Sequence, residues 1–155
     1  MGTASTVKVV RVKDANLGAH FMDTAMSRAP DAVYERVREM VGRCIIHPDY
    51  ALFLALVGGR PSLYLAGYIA IELHNYDKVG SLEIILSPRD AYGKGKIRQT
   101  MRASFSEFTR WSFDNGAKRV ILGHNSMVKH ADVIGKLLHR WGYTRIGELY
   151  AMEAA

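Results

Sequence analysis

An α/β (α+β) fold on a mixed, mostly antiparallel sheet is predicted, with elements in the order β-α-α-β-β-β-α-β-α-β. Three observations predict it. Three apolar runs of strand length, at residues 50–57, 63–73 and 79–86, are joined by short turns at Gly58-Gly59-Arg60-Pro61 and at 75–78. Such short links allow only an antiparallel meander. After Ser87-Pro88 the apolar period changes to 4, 4 and 3 residues at Ile97, Met101, Phe105 and Phe108, the signature of a long amphipathic helix. Strand, helix and strand patterns then alternate to the end of the sequence.

Each element has its own signal. Residues 7–13 mostly alternate and read as the first strand, and Asp14 is suited to cap a helix over 15–28 with Leu17, Phe21 and Met22 inward. Pro30 opens a second helix, in which Val33, Val37, Met40 and Val41 form the inner stripe while Glu35, Arg36, Arg38, Glu39 and Arg43 stay wet. His47-Pro48-Asp49 ends it. The run 50–57 is nearly all apolar, as expected of a strand buried on both faces. Asn115-Gly116 stops the long helix. Residues 119–122 form a fifth strand. Val133, Ile134, Leu137, Leu138 and Trp141 mark a last helix that Gly142 stops, and 143–152 form a final strand.

The 155 residues suit one domain with one core. No apolar run approaches the roughly 18–20 residues of a membrane span. The opening Met1-Gly-Thr-Ala-Ser-Thr lacks a basic stretch followed by an apolar one, so no secretory signal is expected. A lone Cys44 excludes an intramolecular disulfide and fits a reducing, cytoplasmic setting. His124, His130 and His139 lack metal-ligand spacing, and no metal is expected. The net charge of +6 favours an anionic partner. Between Arg89 and Arg110 six basic residues stand against two acidic ones, four of the six excess charges.

That charge centres on Arg89-Asp-Ala-Tyr-Gly-Lys-Gly-Lys-Ile-Arg98, which joins an apolar strand to the long helix. Gly93 and Gly95 let backbone N–H groups approach a ligand without a Cβ in the way. The helix start adds free donors and a partial positive charge, and Lys94, Lys96 and Arg98 add full ones. Such a turn is suited to a pyrophosphate; a glycine-rich loop with solvated lysines is the plainer alternative. Neither G-x-x-x-x-G-K-[ST] nor G-x-G-x-x-G is present, since Arg98 stands at the third glycine position of the latter.

These residues resemble the GNAT acyltransferases. That family carries Q/R-x-x-G-x-G/A between its fourth strand and third helix, often after V-x-P; here Leu86-Ser-Pro88 precedes Arg89-Asp-Ala-Tyr-Gly93-Lys-Gly95, with one residue more between arginine and glycine. Leu137-Leu-His-Arg-Trp-Gly142-Tyr143 is similar to the family's L-Y-x-x-x-G-F, and the element order matches from Val7 onward. The resemblance implies the GNAT fold, transfer of an acetyl group from acetyl-CoA to an amine of a small molecule or protein, and a ternary complex. It implies backbone pairing of the cofactor at Ile85, Leu86 and Ser87, and phosphate contacts around Arg89, Tyr92, Gly93, Lys94, Gly95, Lys96 and Ile97. Asn125, after the fifth strand, is counted with them, although the family's asparagine usually stands early in the last helix.

An amine with a pKa near 10.4 needs help losing its proton at neutral pH. Glu83, inside the fourth strand, is the first candidate base and Glu72, on its neighbour, the second; for Glu83 the alternative is a solvent-facing strand residue. Leu138 stands where the family often has a tyrosine acid. Tyr92, Tyr143, Tyr150 or His139 would have to replace it, or the thiolate leaves unaided. Leu138 and the longer loop also motivate a second reading, a GNAT fold used as a protein-binding module. A third, contact with charged tRNA, has only the basic excess behind it. A homodimer through the last strand is left open.

Overall fold

The computed structural model describes residues 6–122, 131–146, 152 and 154. The elements are β1 (Val7–Arg11), α1 (Ala15–Arg28), α2 (Tyr34–Ile46), β2 (Tyr50–Val57), β3 (Arg60–Ile71), β4 (Lys78–Leu86), a 3-10 turn (Lys94–Lys96), α3 (Ile97–Asp114), β5 (Arg119–Leu122) and α4 (Ala131–Arg140). The chain divides into two units, Met1–Leu122 and Gly123–Ala155.

In the first unit five strands lie in the order β1-β2-β3-β4-β5. The first four pair antiparallel, and β5 joins β4 in parallel. The period-2 alternation of the strands splits the core between two faces. On one face Leu52, Leu54, Tyr64 and Ala66 pack with Phe21 and Ala25 of α1 and Val41 and Cys44 of α2. On the other, Phe53 meets Phe108 and Trp111 of α3 edge-on. β2 is thus covered on both faces, as its unbroken apolar run requires. Burial pushes the Cys44 thiol up to about 11, as for an inert packing residue rather than a nucleophile.

The α1 start follows from Asp14, whose carboxylate accepts from the Leu17 amide at 2.9 Å. The second helix begins later than Pro30 suggests. Val33 is its N-cap and 59% exposed, so it is no part of the inner stripe. With no Ser, Thr, Asp or Asn at the cap, Val33 Cβ supplies no hydrogen bond; tertiary packing of Val41 and Cys44 sets the helix instead.

Two contacts set α3 against the sheet. A Cβ on Gly67 would stand 2.5 Å from the Phe108 ring and 2.3 Å from Ser81 O, and one on Gly80 would stand 2.2 Å from Ser112 Oγ. Only glycine lets the helix approach so closely, and that approach sets the α3 N-terminus beyond the end of β4.

In the second unit Trp141 and Gly142 close α4. Gly142 has φ of +94°, its amide donates to His139 O, and the Tyr143 amide donates to Leu138 O. This is a Schellman cap, the physical content of the Gly142-Tyr143 pair. Of the final strand expected over 143–152, residues 147–151 lie outside the described residues, and 143–146 carry no regular structure.

Candidate functional site

The β3–β4 register slips between Ala66 and Gly67: Ala66 faces Ile84, Gly67 faces Leu82, and Glu83 is the unmatched residue. This β-bulge bends β4 and leaves Glu83 outside the ladder. On the other side of β4, pairing with β5 ends at Leu82 and Leu122. Among the described residues, β4 beyond the bulge therefore has no strand partner on its β5 side. Ile85 and Leu86 lie in this stretch, and Ser87 continues it. On that side they pair with no strand among the described residues.

The chain then turns. The Ala91 amide donates to Pro88 O, and the Tyr92 amide donates to Pro61 O at 3.0 Å, anchoring the loop to the β2–β3 hairpin. Arg60 lies over the Tyr92 ring at 4.5 Å. Gly93 has φ of +76°, and a Cβ there would stand 2.6 Å from Val57 Cγ1. The Lys96 amide donates to Gly93 O, and the Thr100 hydroxyl donates to Lys96 O. The amides before Lys96 open the helical stretch and have no intrahelical acceptor.

A cleft of about 280 Å³ beside this turn is lined by Arg28, Ser62, Ser87, Pro88, Arg89, Ala91, Lys94 and Ile97. Ser87, Arg89, Lys94 and Ile97, singled out from the sequence, come together here. Arg28 and Ser62 join them with no motif to announce them; only the placement of α1 and the start of β3 brings them in. Arg89 donates to Ser27 O at 2.9 Å, so its guanidinium also ties the loop to the end of α1.

The two glycines differ, contrary to the expectation that both face a ligand. Gly93 is required by its positive φ and by Val57. A Cβ on Gly95 would meet no protein atom within 4 Å, and its φ is not in the left-handed region. Gly95 is therefore the one that leaves open space over the helix start. Asn125 lies outside the described residues.

The two candidate bases part company. Glu83 is exposed at the bulge, and its Oε1 accepts from Ser81 Oγ at 2.9 Å. Glu72 is not among the residues lining the cleft beside the glycine turn: it lies past the far end of β3, where its carboxylate pairs with Arg119 and accepts from Asn75 Nδ2 at 3.0 Å. Its side chain is only 13% exposed, and with these partners it acts as an anchor between β3 and β5. Sequence alone did not reveal this, because the pairing depends on sheet order. Among the described residues no group of three His, Cys, Asp or Glu is placed to hold a metal, and no helix is long and apolar enough to cross a membrane.

No family model matches the sequence, and no curated protein sequence matches it. Solved structures do match its fold. An aminoglycoside N-acetyltransferase, AAC(6')-Iy, in complex with CoA superposes with a TM-score of 0.74 at 13% identity, over 99% of this chain and 98% of that one. Glucosamine-6-phosphate N-acetyltransferase from Arabidopsis thaliana gives 0.65 at 13% identity, over 96% and 98%. A GNAT family acetyltransferase from Staphylococcus aureus gives 0.63 at 10%, over 96% and 99%. The architecture of this chain is thus the GNAT acyl-CoA N-acyltransferase fold.

Proposed function

We propose that the protein is an N-acetyltransferase that moves an acetyl group from acetyl-CoA to an amine of a small molecule or protein within a ternary complex. The observation that carries this is the turn at 93–96: an open Gly95, a helix start and Lys94 converge beside a β4 segment that, among the described residues, has no pairing on its β5 side. These residues fit an elongated diphosphate ligand. Backbone at Ile85 to Ser87 would pair with its amide-bearing arm, and the amides from Gly93 to Gly95, with Lys94, Lys96 and Arg89, would hold its diphosphate. Tyr92 and Ile97 would flank it. Acetyl-CoA supplies the thioester carbonyl that the amine attacks. Glu83 would receive the amine's proton. AAC(6')-Iy has also been solved with a bisubstrate analogue, CoA-S-monomethyl-acetylneamine, which supports direct transfer between two bound partners.

Titration calorimetry with acetyl-CoA tests the reading, using the native chain and Gly95→Glu. The native chain should bind and the variant should not, because a carboxylate would occupy the open space over the helix start. Absence of binding by the native chain, or equal binding by both, would refute it. The second reading, a GNAT fold serving as a protein-binding module, draws on Leu138, which carries no acidic hydroxyl. It predicts tight acetyl-CoA binding without CoA release in the presence of amines.

A further inference from the structure

Part of the positive charge in the cleft comes from outside the glycine turn. Arg28, Arg89 and Lys94 line it, and no acidic side chain does. Lys94 belongs to the 3-10 turn at the helix start, whereas Arg28 belongs to the last turn of α1. Arg89 links the two. Its guanidinium donates to Ser27 O at 2.9 Å, which ties the end of α1 to the loop and sets Arg28 at the cleft. Arg28 itself meets no hydrogen-bond or ion-pair partner among the described residues. Ser62 brings a second unanswered group. Ala55 faces Leu63 and Leu56 faces Pro61, so Ser62 is the extra residue of a bulge between β2 and β3. It is only 2% exposed, yet its hydroxyl has no hydrogen-bond partner among the described residues and opens onto the cleft. A buried hydroxyl without a partner is costly unless a ligand answers it.

We infer that Arg28 and Ser62 form a seat for a phosphomonoester, separate from the diphosphate seat at 93–96, and that it takes the 3′-phosphate on the ribose of acetyl-CoA. The inference rests on the N-acetyltransferase reading and names the form of the cofactor that the cleft selects. A diphosphate inside a longer ester carries one negative charge on each phosphate, which Lys94, Lys96 and the turn amides answer. A phosphomonoester adds about −1.5 to −2 at neutral pH and three acceptor oxygens. The planar guanidinium of Arg28 offers two parallel donors to such a group, and the Ser62 hydroxyl offers a third. Placement assigns the phosphate to the cofactor rather than to the acceptor. In acetyl-CoA the 3′-phosphate lies beyond the diphosphate, away from the thioester. Arg28 and Ser62 share their cleft with Lys94 of the turn, whereas Glu83 lies back along β4 from it.

The experiment compares the affinities of acetyl-CoA and 3′-dephospho-acetyl-CoA by titration calorimetry. The native chain, Arg28→Ala, Arg28→Lys, Ser62→Ala and Lys94→Ala are used, each first checked for native thermal unfolding. The native chain should bind acetyl-CoA about 10- to 100-fold more tightly than the dephospho form. Arg28→Ala should lose that margin, falling by about 10- to 100-fold with acetyl-CoA and leaving the dephospho form unchanged. Arg28→Lys, which keeps the charge but not the fork, should recover only part of it. Ser62→Ala should cost about 3- to 10-fold, again with acetyl-CoA alone. Lys94→Ala should weaken both ligands by the same factor, because both carry the diphosphate. Equal losses with both ligands in Arg28→Ala, or no loss with either, would overturn the separate seat while cofactor binding stands. Phosphoethanolamine binding that Arg28→Ala abolishes, with acetyl-CoA affinity unchanged, would move the seat to the acceptor and overturn its assignment to the cofactor. A native chain that binds neither form would instead remove the N-acetyltransferase reading, and this inference with it.

Discussion

At the Lys78 end of β4, Lys118 meets Asp77 at 3.2 Å and Arg119 meets Glu72. At the Leu86 end, Arg28, Lys94 and Arg98 meet no carboxylate among the described residues. The residue types are the same and a cleft lies at each end, yet the two ends do opposite things. Where cations and anions alternate across strands, charge neutralises locally and ties β3, β4 and β5 together. Where cations gather around a helix start and, among the described residues, Arg28, Lys94 and Arg98 pair with none of the nearby acids, the field is left for an external anion. Positive charge alone therefore does not mark a site; positive charge that the protein itself leaves uncompensated does.

The strongest test of that contrast is the double variant Lys94→Ala/Lys96→Ala. If both side chains touch phosphate directly, each charge-assisted contact is worth roughly 1.5–3 kcal/mol, or about 10- to 150-fold in Kd. Calorimetry should show that loss while thermal unfolding barely moves. Native-like acetyl-CoA affinity in the double variant would mean that the lysines are solvated and the contrast is empty.

The glycines sharpen the comparison within the turn. Gly93→Ala forces a side chain into the left-handed region and against buried Val57, and should destabilise the fold by about 2–4 kcal/mol in denaturant unfolding. Gly95→Ala meets no protein atom and should leave stability within about 0.5 kcal/mol while weakening acetyl-CoA binding. Equal effects of the two substitutions on stability would contradict their assignment as one scaffold glycine and one site glycine.

The smallest effect is expected at the opposite end. Arg119→Ala removes the cation beside the largely enclosed Glu72 carboxylate, leaving Asn75 and His74 beside it. Arg119 is itself half exposed, so the loss should be about 1 kcal/mol of stability. Acetyl-CoA affinity should not change, since Glu72 and Arg119 lie at the end of β4 remote from the cleft. A weakened cofactor affinity in this variant would show that the two ends are coupled.

Much of the fold was legible in the residues because its signals are local. The unbroken apolar run of 50–57, the apolar strand run of 79–86, the helical period of 97–108, the Asp14 cap, the Gly142 cap and the Gly-Lys-Gly-Lys turn each depend on near neighbours along the chain. The sequence by itself therefore determined the element order from β1 to α4 and pointed to a turn where a diphosphate is proposed to sit. Only the tertiary structure decided which glycine supports the turn and which opens it, because that depends on Val57 across the sheet. It alone separated Glu83 from Glu72, through a one-residue register slip and an ion pair between strands that β4 keeps apart. It alone brought Arg28 and Ser62 to one cleft. Register, bulges and long-range pairs are set by packing the whole sheet at once, and no window of neighbouring residues carries that information.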